Sequence, residues 1–216
     1  MALSIARTRT STSRKRRSCS VENSGAEIVS IVALLNPLHG QNLDNALLER
    51  ALHLWNERAP HSASEADEAR HSILGMFERA VGREPVSSPE RLVTSELEQQ
   101  VDQLLDFPSH RLAVYGSLAP GAENQWVLSE LHGVWTKGTV KGHRDAAGWG
   151  QTLGFPGLIW DPKSDEVAVD LFHSPELPQH WHRIDEFEGA DYQRILVPVQ
   201  QGTQVVVANI YALGRR

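Results

Sequence analysis

Cysteine and long apolar runs are nearly absent from this sequence of 216 residues. The only cysteine is Cys19, and a single thiol cannot form an internal disulfide, a thiolate zinc site or an iron–sulfur cluster. A reducing compartment is the simplest setting for such a chain, so we predict a cytoplasmic protein. No apolar run approaches the ~18 residues that a membrane-spanning helix requires, and a membrane is therefore not among the predicted partners.

Acidic residues are absent from the first 20 positions, which carry six Lys or Arg. Residues 1–25 consist mostly of Ser, Thr and Arg, and this composition predicts a disordered basic tail. The same composition is typical of an organelle transit peptide, and a basic arm for nucleic acid or a partner is a third interpretation. The other 196 residues hold 15 Lys or Arg against 27 Asp or Glu. This body is too acidic for general nucleic-acid binding, so only the tail is a candidate for that contact.

Residues 26–108 are predicted to form a helical domain of unknown function. Apolar residues recur there at spacings of three and four, which predicts amphipathic helices, while segment 27–35 fits a helix or a buried strand. The predicted stripes are Leu43, Leu47, Ala51 and Leu54; Ala69, Ile73, Phe77 and Ala80; and Val93, Leu97, Val101 and Leu104. We expect the stripes to form a closed core, with self-association or docking of a protein partner as the alternative.

Residues 109–216 have a different pattern, in which short β-branched and aromatic runs are separated by glycine and proline. The pattern predicts an α+β unit with a curved, mixed or barrel-like sheet. One helix interrupts the strands, starting near Ser174 and stopping at Gly189, and Pro198 marks its strand as an edge or a bulge. The predicted strands are 111–115, 134–141, 157–160, 166–172, 194–199 and 204–213.

Glu188 is predicted to face the core from that helix. At about 100 degrees per residue, Leu177, Trp181 and Ile184 share one face, and Glu188 falls within the same stripe. Burial and the negative end of the helix dipole both raise the pKa of such a carboxyl toward neutrality, which suits a general base or acid. The alternative is a fraying last turn in which Glu188 reaches solvent or pairs with Arg194.

The loop after the first predicted strand is a candidate anion site. Its sequence is Tyr115-Gly116-Ser117-Leu118-Ala119-Pro120-Gly121. A strand that breaks into Gly-Ser and then Pro-Gly can turn backbone N–H groups inward, where they would bind a carboxylate or a developing oxyanion. An ordinary turn at the end of a strand is the alternative, and the stretch is not a G-x-S-x-G nucleophile elbow.

Metal and cofactor motifs are missing from the sequence. It contains no P-loop, no C-x-x-C and no H-E-x-x-H, and His180 and His182 would point apart on a helix. We therefore predict neither a metal nor a cofactor.

Three segments together resemble the gamma-glutamylcyclotransferase-like family: VYGSLAPGAEN, GTVKGH and LPQHWHRIDEFEGADYQRILVPV. The specific part is YGSL followed some seventy residues later by D-E-F-E-G-x-x-Y-x-R, and the resemblance covers about residues 110–213. It implies a small mixed β-barrel with a flanking helix. The expected fold class is thus α+β, with this barrel preceded by an α-helical N-terminal domain.

The resemblance also implies an enzyme that cleaves gamma-glutamyl compounds to 5-oxoproline and a free amine by intramolecular cyclisation, without a cofactor. Leu118 stands where members that cleave glutathione or gamma-glutamyl amino acids often have asparagine. Our leading hypothesis for the substrate is a gamma-glutamyl amine or related small amide. The roles implied are a glutamyl-binding loop of Tyr115, Gly116, Ser117 and Leu118, a general base and then acid at Glu188, and a pocket-lining tyrosine at Tyr192.

A binding module is the second hypothesis. In this interpretation the pocket senses a small gamma-glutamyl or acidic metabolite without turnover, and the helical domain engages a protein partner. Tight product binding by a protein that releases no 5-oxoproline would favour it.

Overall fold

The structure is a computed structural model that describes residues 43–57, 63–85, 94–145 and 156–213. All of these residues fall in one compact unit, residues 36–216. The predicted tail at 1–25 and the segment 27–35 lie outside the described residues. The helices are α1 (Asn45–Asn56), α2 (Ala63–Ala80), α3 (Thr94–Leu104) and α4 (Leu177–Glu188). The strands are β1 (Arg111–Val114), β2 (Val134–Asp145), β3 (Gly157–Trp160), β4 (Glu166–His173), β5 (Tyr192–Gln201) and β6 (Gln204–Leu213).

Five of the strands close into a barrel. The strand order is β3-β2-β4-β1-β6-β5, and an additional pairing of β2 with β5 joins the ends of the five-stranded ring. β1 runs parallel to β6, whereas the other pairs are antiparallel. Helix α4 lies on the flank and shares a hydrophobic cluster with β1 and β6. The predicted fold class, a small mixed barrel with a flanking helix, is confirmed.

Strand β2 takes part in two pairings. Its first eight residues pair with β4, and residues 142–145 pair with β3, which lies outside the ring. A Cβ atom at Gly142 would lie 2.6 Å from the carbonyl oxygen of Ile159, so glycine permits this close approach of β3. Strands β2 and β5 close the barrel through the pair Thr139 and Gln200, and Gln200 lies near Pro198 on β5. Proline has no backbone N–H, so it is tolerated best on a strand such as β5, whose pairing with β2 is sparse.

One hydrophobic core joins the first three helices to the barrel. It contains Leu52 of α1 and Phe77 of α2 together with Val197, Val199 and Val207 of the barrel, each fully buried. The predicted boundary between residues 108 and 109 falls at the connection from α3 to β1. The helices therefore bury their apolar faces against the barrel, in agreement with a closed core. Within the described ranges, no helix is long and apolar enough to cross a membrane.

Helix α1 turns a different face inward from the one predicted. Leu54 is 40% exposed, and Leu43 and Leu47 are only partly buried. The sequence offers two apolar stripes that share Ala51, and packing against α2 and the barrel buries the second. The prediction is therefore confirmed for Ala51 and wrong for Leu54. The buried face consists of Leu48, Ala51, Leu52 and Trp55. The predicted positions Ile73, Phe77, Ala80, Leu97, Val101 and Leu104 are buried, Ala69 is exposed and Val93 lies outside the described residues.

Polar contacts fix the start of β1. Asp106 has left-handed backbone geometry, with φ at 60°, and its carboxylate pairs with the guanidinium of Arg111, which is 7% exposed. Asp102 accepts hydrogen bonds from the backbone N–H of Ser109 at 2.8 Å and from its hydroxyl at 2.7 Å. Because β1 is held between β4 and β6, these contacts also fix the loop that follows its other end.

Candidate active site

A small pocket lies where β1 ends. Its cavity volume is about 40 Å³, room for only a few water molecules. The structure brings the first four residues of the predicted loop together with Glu188 and Tyr192, whereas residues 119–121 of that loop do not line the pocket. The lining consists of Tyr115, Gly116, Ser117, Leu118, Glu188 and Tyr192, with Ala113, Val114, Pro156 and Tyr211.

The loop at residues 116–118 forms a tight turn at the end of the buried strand. The N–H of Ala119 donates to the carbonyl of Gly116 at 3.1 Å, and the N–H of Asn124 donates to the carbonyl of Ser117 at 2.9 Å. In the described part of the chain, no protein acceptor receives the backbone N–H groups of Gly116, Ser117 or Leu118. Backbone N–H groups in this arrangement are suited to bind an anion.

Glu188 occupies the last turn of α4. The helix buries Leu177, Trp181 and Ile184, as the periodicity predicted, and Glu188 reaches the pocket from the same side. Gly189 ends the helix with φ at 75°, and its N–H donates to the carbonyl of Asp185 at 3.0 Å. Burial raises the pKa of the Glu188 carboxyl from 4.5 to about 7. A carboxyl with this pKa can both accept and release a proton near neutral pH.

Arg194 pairs with Asp185, three residues before Glu188. Its Nε lies 2.8 Å from Oδ1 of Asp185 and its Nη2 lies 3.2 Å from Oδ2. The guanidinium also lies over the ring of Trp181, 4.4 Å from the centroid. The register of β5 with β6 explains why Arg194 contacts Asp185. Arg194 lies opposite Tyr211 in the two strands, and the Tyr211 hydroxyl donates to the same carboxylate.

Two tyrosine hydroxyls at the pocket have different surroundings. The hydroxyl of Tyr115 donates to the carbonyl of Tyr211 at 2.8 Å and accepts the N–H of Leu158 at 3.0 Å, so it joins three strands of the sheet. The hydroxyl of Tyr211 donates to Oδ1 of Asp185 at 2.5 Å. Burial raises the pKa of both tyrosines.

Tyr211 and Pro156 line the pocket although the sequence did not predict them. Pro156 follows a stretch without periodicity, and nothing in its local sequence signals a site. Tyr211 belongs to a predicted strand, and its polar hydroxyl in a run of aliphatic residues was the available signal. Its proximity to Glu188 depends on the pairing of β6 with β1 and β5, which no local pattern encodes.

His182 lies on the outer side of α4. Its Nδ1 is 3.4 Å from Oε2 of Glu186, and both side chains are mostly exposed. Among the described residues, no group of three His, Cys, Asp or Glu side chains is arranged to hold a metal ion.

The fold of this part of the chain is a small barrel with a loop after β1 and the carboxyl of Glu188 at the end of α4. Residues 112–216 match the sequence profile of the family described as "Gamma-glutamyl cyclotransferase, AIG2-like". This match confirms, for the C-terminal part of the chain, the resemblance found in the sequence.

Several solved structures resemble the chain. YkqA from Bacillus subtilis is 23% identical over 49% of this chain, which corresponds to 36% of YkqA, with a TM-score of 0.40. An AIG2-like protein from Mus musculus is 21% identical over 49% of this chain and 77% of its own, with a TM-score of 0.39. An uncharacterized protein from Pyrococcus horikoshii is 20% identical over 49% of this chain and 79% of its own, with a TM-score of 0.37. No curated protein matches the sequence significantly.

Proposed function

We propose that this protein converts a gamma-glutamyl amine, or a related small gamma-glutamyl amide, into 5-oxoproline and a free amine. The observation that carries the proposal is the half-buried carboxyl of Glu188, whose pKa is raised by desolvation to about 7, in one pocket with the 115–118 loop. The family of the C-terminal part supports the same reaction class.

The reaction needs little apparatus because the substrate supplies its own nucleophile. The α-amine attacks the γ-carbonyl, a new C–N bond closes the five-membered ring, and the original amide C–N bond breaks. Well-oriented intramolecular attack reaches effective molarities of ~10⁵ M or more, so the main task of the pocket is to impose the folded conformer.

Glu188 moves one proton in this scheme. Its carboxylate takes a proton from the attacking amine and later delivers that proton to the departing nitrogen, so no net proton is gained or lost. A pKa near 7 suits both halves of the cycle, because the proton is neither held too tightly nor released too readily.

The loop supplies the complementary charge. The N–H groups of Gly116, Ser117 and Leu118 would receive the substrate carboxylate or the oxyanion that forms at the γ-carbon. A glutamyl group is larger than the cavity of about 40 Å³, so we expect the pocket to widen when the substrate binds.

The test is release of 5-oxoproline from a panel of gamma-glutamyl amines, gamma-glutamyl amino acids and glutathione. We expect release with at least one amine, and a decrease in kcat of about 10²- to 10⁴-fold in Glu188→Gln, because the variant cannot shuttle the proton. Glu186→Gln is the matched control, since Glu186 lies on the same helix but its side chain is 71% exposed.

Two results would contradict the proposal. One is full turnover in Glu188→Gln. The other is that folded wild-type protein releases no 5-oxoproline from any compound of the panel. Tight binding of 5-oxoproline in that case would favour the sensor hypothesis.

A further inference from the structure

Tyr211 is the second polar group of the pocket that lies close to Glu188. It belongs to β6, is 5% exposed and lines the pocket together with the glutamate. Both side chains therefore border the same cavity of about 40 Å³. The hydroxyl proton of Tyr211 points away to Asp185, at 2.5 Å from Oδ1.

Asp185 is held in place as an ionised acceptor. Arg194 donates to both of its carboxylate oxygens, at 2.8 and 3.2 Å, and stacks on Trp181 at 4.4 Å. Burial raises the pKa of Asp185, but the hydrogen bonds from Arg194 and Tyr211 outweigh burial and lower it overall. An ionised carboxylate can only accept hydrogen bonds, so it dictates that the Tyr211 hydroxyl donates.

A hydroxyl group has one proton and two acceptor lone pairs. Because the proton of Tyr211 is committed to Asp185, the tyrosine oxygen presents only lone pairs elsewhere. Tyr115 differs, since its hydroxyl both donates to the carbonyl of Tyr211 and accepts the N–H of Leu158. Of these two tyrosines, Tyr211 is therefore the one whose hydroxyl donates its proton and accepts no hydrogen bond from the described part of the chain.

We propose that Asp185 is a positioning residue that makes Tyr211 an obligate acceptor, and that Tyr211 receives an N–H of the substrate's α-amine. This inference rests on the proposed function. With one N–H directed to Glu188 and another to Tyr211, the nitrogen lone pair is left to face the γ-carbonyl. The loop donors on one side and these acceptors on the other would fix the direction in which the glutamyl group enters.

The first test compares two ligands that differ only in the α-amine. Gamma-glutamylethylamide carries the amine and N-ethylglutaramic acid lacks it, and calorimetry in the Glu188→Gln background measures both without turnover. Tyr211→Phe should weaken binding of gamma-glutamylethylamide about tenfold, the size of one hydrogen bond to a charged group. Binding of N-ethylglutaramic acid should change less than about twofold, because it has no N–H for Tyr211 to accept.

The second test asks whether Asp185 acts through Tyr211. Asp185→Ala removes the carboxylate that accepts the Tyr211 proton. The hydroxyl proton is then free to turn toward the pocket, where it opposes the amine. We expect Asp185→Ala to weaken binding of gamma-glutamylethylamide several-fold, but to add little once Tyr211→Phe is present, because coupled residues are non-additive.

The outcomes separate this inference from the proposed function. Equal losses for both ligands in Tyr211→Phe, or additive losses in the double variant, would overturn the Tyr211 contact even if the wild type releases 5-oxoproline. No release by the wild type, with the tenfold ligand difference retained, would support the contact and overturn the proposed reaction. Asp185→Ala removes the partly exposed ion pair with Arg194. Tyr211→Phe leaves that pair intact, so it decides the matter if the Asp185 variant does not fold.

Discussion

Two cavities in the described part of the chain differ greatly in size, and the smaller of the two is the proposed active site. A cavity of about 540 Å³ lies where α1 and α3 meet β5, whereas the pocket at the end of β1 measures about 40 Å³. In the larger cavity the buried polar groups bond to one another. The side chain of Asn56 pairs with both backbone groups of Leu196, and the amide of Asn209 donates to the carbonyl of Pro108 at 2.7 Å.

The smaller pocket has the opposite character. Burial there raises the pKa of Glu188 to about 7, and the loop N–H groups of residues 116–118 have no acceptor in the described part of the chain. A desolvated carboxyl of this kind destabilises a fold unless a ligand compensates it, and such groups concentrate at functional sites. Cavity size alone favours the larger cavity, whereas these groups favour the smaller one as the active site.

The largest expected effect on stability comes from the carboxyl of Glu188. Burial raises its pKa from 4.5 to about 7 in the folded protein. Between these two pH values the folded state binds a proton that the unfolded chain does not, so stability falls as pH rises through the window. Wild type should lose up to about 3 kcal/mol there, at 1.36 kcal/mol per pKa unit, and Glu188→Gln should not.

Urea unfolding of both proteins at several pH values from about 4 to 8 measures this difference. Glu186→Gln should follow the wild type, since its side chain is 71% exposed. Parallel stability curves for wild type and Glu188→Gln would show that the carboxyl is not desolvated, and the contrast between the two cavities would disappear.

A smaller effect is expected at the larger cavity. The amide of Asn56 donates to the carbonyl of Leu196 at 2.7 Å and accepts its N–H at 3.0 Å, which ties α1 to β5. Asn56→Ala should lower the free energy of unfolding by about 1–3 kcal/mol, because it removes both bonds, and should leave kcat/KM unchanged. Asn56→Asp should lose at least as much at neutral pH, because a carboxylate oxygen would then face the carbonyl oxygen of Leu196. A large loss of activity with normal stability would instead make this cavity part of the active site.

Periodicity predicted the parts of the site that lie on one element. The helix with Leu177, Trp181 and Ile184 on one face placed Glu188 toward the interior without any knowledge of the barrel. The strand followed by Gly116 and Ser117 marked the loop in the same way, since both signals are local.

Tertiary packing decided what the sequence left open. In α1 two apolar stripes compete, and contact with the barrel buries Leu48 and Leu52 rather than Leu54. Arg194 was a candidate partner for Glu188, but the register of β5 with β6 brings it to Asp185 and Tyr211. Pairings between distant strands set these contacts, and a period of two or 3.6 residues does not encode them.

The most direct test of the central claim is the pH dependence of kcat/KM for 5-oxoproline release between about pH 5 and 8. If Glu188 is the base, activity should rise with pH and level off with a midpoint near 7, where burial places its pKa, and Glu186→Gln should give the same curve. A rate that does not change across this range, or a midpoint at the ordinary glutamate value of 4.5, would contradict the account.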